Sequence, residues 1–245
     1  MTHNFVYNSM KSADYGLVLS GEDTWKRPQP DVTRIEVPGR NGDLIQLGNR
    51  YKNLDITYHC GIVKDLKVNF DAFNAALLSD PGYHRLEDSY HPGYYRMAVF
   101  ESALEPDVKK RGISGEVDIK FNCKPQLFLK TGEVELTVGN GGIIYNPTPY
   151  TAYPVIRFSF GSSREGGSIT INGRTISVQD PGTVNEFIID CARQDIYLKE
   201  TRANKNSLFT LSDGEFFEIK PGRNRIYCSG LFSDSVHVTP NWWTV

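Results

Sequence analysis

The chain has 245 residues, enough for two ordinary domains or one large β domain. With 39% hydrophobic and 23% charged residues it can bury a core, which excludes a disordered polymer. The formal net charge is −2, with 17 basic and 17 acidic residues in 1–130 and 10 and 12 in 131–245, so a nucleic-acid-binding protein is not expected.

The first informative stretch is 37–44, Val-Pro-Gly-Arg-Asn-Gly-Asp-Leu. Its Gly and Asn residues suit positive φ angles, so we predict a hairpin turn around Arg40 in preference to a recognition loop or an anion clamp. A role for Arg40 at a subunit interface is a further possibility that the turn leaves open.

Apolar and polar residues alternate from Leu54 to Val63, which indicates a half-buried strand. A second alternating strand ends at Cys123. The predicted buried faces are Leu54, Ile56, Tyr58, Cys60 and Ile62 in the first strand, and Val117, Ile119, Phe121 and Cys123 in the second. Between them we predict one short helix from Asn69, its N-cap, to Ser79, with the apolar stripe Phe70, Phe73, Leu77 and Leu78.

The run 83–99 lies between Pro81-Gly82 and the second strand and is broken at Pro92-Gly93. These breaks predict an extended segment that bends away from its own core. Because Tyr and Arg dominate interface hot spots, we expect this segment to contact another subunit. The candidate interface residues are Tyr83, Arg85, Tyr90, Tyr94, Tyr95 and Arg96, together with Arg40.

Four residues of the same run, His84, Glu87, Asp88 and His91, have a spacing that a metal site on a helix would use. The flanking Pro-Gly pairs instead predict a strand followed by a loop. In a strand His84 and Glu87 point to opposite faces, so we expect a polar, aromatic contact segment and no metal.

A domain boundary is predicted at 124–133, because Pro125 blocks continuation of the strand and Lys130-Thr131-Gly132 supplies a turn. The domains would be 1–130 and 131–245. The second has short strands typical of a sandwich or jelly roll. Its clearest element is a hairpin at 168–178 with a type I′ turn at Asn172-Gly173, which sets Ile169 opposite Ile176 and Thr170 opposite Thr175.

The four cysteines lack zinc-like spacing, and three end an alternating strand on its apolar phase, so we expect buried free thiols. No leader is recognisable at the start of the sequence, which favours synthesis in a reducing cytoplasm. The uncharged stretch 136–156 contains Gly and Pro residues that would leave backbone groups unpaired in lipid, so we expect no membrane insertion. Nucleophile-elbow, P-loop and H-E-x-x-H motifs are missing, so we expect neither an enzyme nor a cofactor.

Taken in order, the turn at 37–44, the strand 54–63, the short helix, the Tyr/Arg-rich run 82–96, the strand ending 118–125 and the terminus Trp242-Trp243-Thr244-Val245 resemble the distal tail proteins of long, non-contractile-tailed bacteriophages and prophages. The resemblance spans nearly the whole chain and is strongest over 31–130. It rests on the ordered set, since Pro-Gly-Arg-Asn-Gly alone is a common turn.

The resemblance implies a mainly-β fold: an N-terminal β-sandwich or barrel-like domain with one short helix, then a galectin-like, jelly-roll β-sandwich. It implies six copies in a ring at the tail tip, or baseplate, of a virion. This hub would join the tail tube protein to the tail-associated or tail-tip protein, with a receptor-binding protein as a further partner. The N-terminal domain would form the ring and the C-terminal domain would point outward.

The alternative from another class is a carbohydrate-binding module that recognises cell-surface glycans. Trp242 and Trp243 could stack on sugars, although a terminal Trp pair more often pins down a last strand. The galectin signature H-x-N-x-R is absent, since Val238, Thr239 and Pro240 follow His237, so a galectin-like fold does not imply sugar binding. The segment 31–130 distinguishes the two functions, because a simple sugar-binding module does not need this additional domain.

Overall fold

The structure is a computed structural model that describes residues 3–160, 166–181, 186–231 and 235–245, except for the side chains of residues 20–22. The chain forms two compact units, Met1–Leu127 with Val245, and Phe128–Thr244. Both are mainly β, as predicted.

The first unit is built on one curled sheet, in which the strands follow the order β2-β1-β7-β8-β10-β6-β3 and β9 pairs with β10. The elements are β1 (Phe5–Tyr7), β2 (Met10–Lys11), β3 (Leu17–Glu22), β4 (Pro30–Ile35), β5 (Leu44–Tyr51), β6 (Leu54–Ile62), α1 (Leu66–Leu78), β7 (His84–Asp88), β8 (Tyr94–Phe100), β9 (Asp107–Lys109) and β10 (Ser114–Leu129). Short 3-10 helices lie at Ser12–Tyr15 and Lys110–Gly112.

The alternation that predicted two strands also predicted their buried faces correctly. In β6 the residues Leu54, Ile56, Tyr58, Cys60 and Ile62 are all buried, as are Val117, Ile119, Phe121 and Cys123 in β10. The two strands pair antiparallel from Gly115↔Ile62 to Cys123↔Leu54. Period-two alternation survives in the fold because one side of this sheet packs on a core and the other side meets water.

The helix begins earlier than predicted. It starts at Leu66 after Asp65, whose φ is 49°, and Leu66 N–H donates to Ile113 O at 3.2 Å. Leu66 is buried with Phe73 and Leu77, whereas Leu78 is 57% exposed and is not part of the stripe. Asn69 is not the N-cap, because it lies in the first turn of the helix and the N-cap is Asp65; its side-chain amide donates back to Lys64 O at 3.0 Å. The sequence pattern did not reveal the start of this helix, because it depends on the hydrogen bond to Ile113, a residue distant in sequence.

Strand β10 continues through Pro125 to Leu129, so the expectation that proline ends the strand is wrong. Pairing of β10 with β6 ends at Cys123, which means that the missing N–H of Pro125 leaves no gap in that ladder. The division between the units falls at Leu127, inside this strand and close to the predicted boundary after residue 130.

The second unit is a sandwich of two five-stranded sheets, β11-β20-β13-β16-β17 and β12-β19-β14-β15-β18. The strands of these sheets are β11 (Leu136–Gly139), β12 (Ile143–Asn146), β13 (Val155–Ser159), β14 (Gly167–Ile171), β15 (Arg174–Val178), β16 (Glu186–Asp190), β17 (Asp195–Leu198), β18 (Thr210–Leu211), β19 (Gly222–Ser229) and β20 (Ser235–Thr239). The short strand β21 (Trp243–Thr244) lies outside both sheets, and 3-10 turns lie at Lys130–Glu133 and Asn206–Leu208. One core fills the space between the sheets and includes Phe158, Phe187, Ile169 and Ile226.

The predicted hairpin is present with the predicted register. Ile169 pairs with Ile176 and Thr170 with Thr175, and the turn residues Asn172 and Gly173 have φ of 52° and 87°. The two isoleucines are buried, and the two threonine hydroxyls lie 2.8 Å apart on the outer face.

The four cysteines are buried and free, as predicted. Burial raises the pKa of the thiols of Cys60, Cys123 and Cys191 to about 12, because the thiolate would lose its hydration. These thiols therefore act as small apolar side chains. In the described part of the chain, no helix is long and apolar enough to cross a membrane.

Candidate functional site

A hairpin of β4 and β5, residues 30–51, forms a two-stranded sheet of its own, and we call it the arm. Its strands pair antiparallel from Pro30↔Tyr51 to Ile35↔Leu44. No residue of the arm belongs to the core cluster of the first unit. Two-stranded hairpins are only marginally stable by themselves in water, so an arm of this length calls for a surface to pack against.

The arm carries apolar side chains on both of its faces. The register places Ile45 and Leu47 on one face, and Ile35 and Leu44 on the other. Their exposed fractions are 53%, 64%, 46% and 49% respectively. Full burial of a fully exposed apolar side chain contributes about 1.5–3 kcal/mol, so burying these half-exposed residues would contribute roughly half of that each. The arm is therefore the strongest candidate in the first unit for a contact with another chain.

Polar contacts hold the base of the arm. Asp31 Oδ2 accepts from Arg50 Nε at 2.7 Å, and Lys52 Nζ lies 3.4 Å from Asp31 Oδ1. The hydrogen bond from Arg50 lowers the pKa of the Asp31 carboxyl. Gly48 leaves room for Asp31, since a Cβ there would lie 3.0 Å from the carboxylate.

Arg40 lies at the tip of the arm, in the predicted turn. Gly39 and Gly42 have φ of 78° and 82°, which confirms the predicted positive φ angles for the glycines of this turn, whereas Asn41 does not adopt one. Arg40 N–H donates to Val37 O at 3.1 Å and its side chain is exposed. Its role at a subunit interface stays a prediction.

The run 83–99 does not bend away from the core, and that expectation is wrong. Residues 84–88 and 94–100 form β7 and β8, which lie inside the main sheet between β1 and β10. Pro81-Gly82 lies in the connection from α1 to β7, and Pro92-Gly93 lies in the hairpin connection from β7 to β8, so neither pair frees the segment from the sheet. Tyr and Arg content alone did not distinguish a sheet hairpin from a free extension, because it says nothing about which backbone groups are paired.

Arg96 is the clearest case, because it is only 6% exposed. It borders a cavity of about 10 Å³ whose lining includes Tyr58, Asp88 and Tyr95. Its two terminal guanidinium nitrogens have no hydrogen-bond partner within the structure, and burial lowers the pKa of the group. Arg96 is therefore an interior residue of its own unit rather than an exposed interface anchor.

The other candidates on this run make contacts within the first unit. Asn53 donates to the hydroxyl of Tyr83 at 2.7 Å, and Tyr83 is 41% exposed. Arg85 lies 3.9 Å above the ring of Tyr95 and is ion-paired with Glu87. Tyr90 stacks on His3 at 4.1 Å. Tyr94 is half-buried at the start of β8. Their place in an assembly stays a prediction.

The His84, Glu87, Asp88 and His91 set does not converge. His84 Nε2 lies 2.9 Å from Asp80 O, and His91 Nε2 lies 3.0 Å from Thr24 Oγ1. Asp88 Oδ1 accepts the backbone N–H groups of Tyr90 and His91, so it holds the turn between β7 and β8. In the described residues no cluster of His, Cys, Asp and Glu has a geometry suited to a metal ion.

Sequence reasoning missed the apolar residues of the arm, although they left a signal. Leu44-Ile45-Gln46-Leu47 places apolar side chains on both faces of a strand, which a half-buried sheet does not require. The exposure of such a strand cannot be read from its pattern, since a fully buried strand looks the same.

In the second unit, the outer face of the sheet containing β13 carries a closed charge network. Arg157 Nε donates to Glu135 at 3.1 Å and its Nη1 to Glu186 at 2.5 Å, while Lys199 Nζ lies 2.5 Å from Glu186. Hydrogen bonds from Arg157 and Lys199 lower the pKa values of Glu135 and Glu186 respectively. The positive charges of Arg157 and Lys199 are therefore neutralised by Glu135 and Glu186 on the same face.

The terminal tryptophans are packed within the second unit. Trp242 is buried in its core, and its carbonyl accepts from Leu129 N–H at 3.0 Å. Trp243 stacks on Tyr150 at 4.4 Å and donates to Thr151 O at 2.8 Å. The pair therefore fixes the end of the chain, as the more ordinary of the two readings predicted.

No protein-family model matches the chain, and no curated protein matches it. Solved structures match its fold. SPP1 Dit (gp 19.1), called a paradigm of hub adsorption apparatus in Gram-positive infecting phages, has a TM-score of 0.78 at 14% identity, over 97% of this chain and 98% of that chain.

Chains of the phage P2 baseplate in its activated conformation also match. The Ca form has a TM-score of 0.57 at 8% identity, over 97% of this chain and 98% of that chain. The Sr form has a TM-score of 0.55 at 9% identity, over 97% of each chain. The predicted resemblance is thus confirmed at the level of the fold, which is mainly β, includes a β-sandwich and matches these solved structures over nearly its whole length.

Proposed function

We propose that this chain, which has the fold of phage hub and baseplate proteins, is the structural hub at the distal end of a phage or prophage tail. It forms a hexameric ring that joins the tail tube protein to the tail-associated or tail-tip protein and to any receptor-binding protein below. It acts as a scaffold in the virion and not as an enzyme. It is made and assembled in the cytoplasm of the bacterial host.

The arm is the observation that carries this proposal. A closed ring needs two different patches on each subunit that meet head to tail. An exposed hairpin with apolar residues on both faces supplies one such patch, and the neighbouring copy supplies the other. In the alternative function, a free carbohydrate-binding module, the apolar side chains of this hairpin would stay exposed to water without a partner.

Assembly of the purified chain tests the proposal. Light scattering across a wide concentration range, with electron microscopy at the highest concentration, is expected to show six-fold rings that form as concentration rises. A stable two-fold dimer as the end state of association would contradict the hub, because an isologous contact uses the same patch twice and closes no ring of six.

A further inference from the structure

The second sheet of the C-terminal sandwich has an outer face unlike that of its partner sheet. We call it the Arg–Tyr face and define it by Tyr145 on β12, Arg223, Arg225 and Tyr227 on β19, and Ser168 and Thr170 on β14. Tyr145 is 66% and Tyr227 is 47% exposed, and both arginines are exposed.

Strand register fixes the arrangement of these side chains. Tyr145 lies directly opposite Arg223, and Tyr227 directly opposite Thr170, with Arg225 between the two rows. Outward residues two apart on one strand are separated by roughly 7 Å. The two phenol rings therefore flank two guanidinium groups, and Arg225 Nη1 donates to the Tyr227 hydroxyl at 3.3 Å.

Hydroxyl groups continue the face beyond the second tyrosine. Ser168 and Ser229 Oγ atoms lie 3.1 Å apart, and the hydroxyls of Thr170 and Thr175 lie 2.8 Å apart. Each hydroxyl keeps further hydrogen-bonding capacity toward solvent, since it has one donor and two acceptor positions. Ile143, which lies opposite Arg225 and is 41% exposed, adds one apolar side chain to a face otherwise described by Arg, Tyr, Ser and Thr.

The charge of this face is not balanced from within the unit. Among the described residues, no carboxylate forms an ion pair with Arg223 or Arg225, whereas Arg157 on the other sheet is bonded to both Glu135 and Glu186. Two guanidinium groups held side by side repel each other, and an anion placed between them relieves that repulsion.

We propose that the Arg–Tyr face binds an anionic polysaccharide, a polymer of sugar rings that bear carboxylate or phosphate groups. The arginines take the anionic groups, the exposed tyrosine rings stack on sugar faces, and the hydroxyls meet sugar hydroxyls. Tyr and Arg alone would also suit a protein partner, but the row of Ser and Thr hydroxyls on β14 and β15 favours a sugar polymer, because Ser is depleted at protein interfaces. The site differs from the terminal tryptophans, which are packed, and does not depend on ring assembly.

Binding of three probes to the full chain is measured by calorimetry or affinity electrophoresis. Polyuronate oligosaccharides supply rings and charge, dextran oligosaccharides supply rings alone, and polyglutamate supplies charge alone. We expect the polyuronate to bind most tightly, with affinity that falls as salt is raised. Arg223→Ala with Arg225→Ala, and separately Tyr145→Ala with Tyr227→Ala, should each weaken that binding at least about tenfold.

A matched variant, Arg193→Ala with Arg202→Ala, removes the same charge from exposed positions elsewhere in the unit and should leave the affinity unchanged. Circular dichroism confirms that all variants keep their fold. The proposal is overturned if the polyuronate does not bind, or if both arginine pairs matter equally. It is also overturned if polyglutamate binds as tightly and is insensitive to the tyrosines, which would mark an acidic protein site.

Discussion

The side-chain amide of Asn172 donates to Asn224 Oδ1 at 2.6 Å and so ties the β14–β15 turn to strand β19. Asn224 is fully buried, and its own amide donates to Lys220 O at 2.8 Å and Gly222 O at 2.9 Å. Lys220 N–H completes the network by donating to Asn224 Oδ1 at 2.8 Å. One buried amide thus positions the strand that carries Arg223, Arg225 and Tyr227.

Asn224→Ala should destabilise the second unit by about 2–4 kcal/mol, because it leaves several buried backbone groups without partners. Urea unfolding of the full chain measures the change. Asn41→Ala, at an exposed position of the arm tip, should change stability by less than about 0.5 kcal/mol and serves as the control. Equal effects of the two substitutions would contradict the network.

Gly173→Val should cost on the order of 1–2 kcal/mol, because it forces a β-branched residue to a φ of 87°. Nothing lies within 4 Å of a Cβ at this position, so the cost comes from the backbone alone. Gly173→Asn should restore most of the loss, since Asn tolerates this conformation. Thermal unfolding that is insensitive to valine would show that the turn is not fixed in the type I′ form.

Ile45→Ser with Leu47→Ser should leave the first unit folded and weaken association at least about tenfold, because both side chains are exposed and lie outside its core. The control, Val68→Ser with Val108→Ser, changes side chains that are 70% and 55% exposed but lie off the arm. Sedimentation velocity compares the two. If the control variant were equally defective in association, the arm would have no special role in it.

The triple variant Tyr94→Ala, Tyr95→Ala and Arg96→Ala should act mainly on stability. Arg96 is interior and the tyrosines are half-buried in β8, so the loss of packing should cost about 3 kcal/mol or more. Urea unfolding gives the value, with Tyr83→Ala as a milder comparison at an exposed site. A variant of unchanged stability that fails only in assembly would instead support the sequence-based prediction that residues 83–99 contact another subunit.

The buried thiols of Cys60, Cys123 and Cys191 should make the fold sensitive to alkali. Their pKa is raised from 9.0 to about 12, so the folded state holds its protons more tightly than the unfolded state. Their stabilising effect is complete below about pH 8.5–9 and is lost as pH rises toward about 12, by up to about 1.4 kcal/mol per pH unit for each thiol.

Urea unfolding between pH 8 and pH 11 should show this decline. At pH 8 a thiol reagent should react with these cysteines far more slowly in the native protein than in urea. Fast labelling of the native chain would mean that the thiols are accessible.

The sequence by itself determined the elements that obey local rules. Alternation identified the buried faces of β6 and β10, because in a strand the side-chain direction repeats every two residues. Asn172-Gly173 specified its hairpin because few residues accept the φ angles of a type I′ turn. Composition and the order of these elements were enough for the mainly-β class and the resemblance to tail hubs.

Only the tertiary structure decided which segment projects from its unit. The Tyr/Arg-rich run 83–99 and the arm at 30–51 both form hairpins in the structure, but the first pairs on either side with β1 and β10 and the second pairs only with itself. Exposure is a property of what lies against a strand, and that depends on residues far away in the chain. For the same reason the burial of Arg96 and the start of α1 at Leu66 could not be read from their neighbours in sequence.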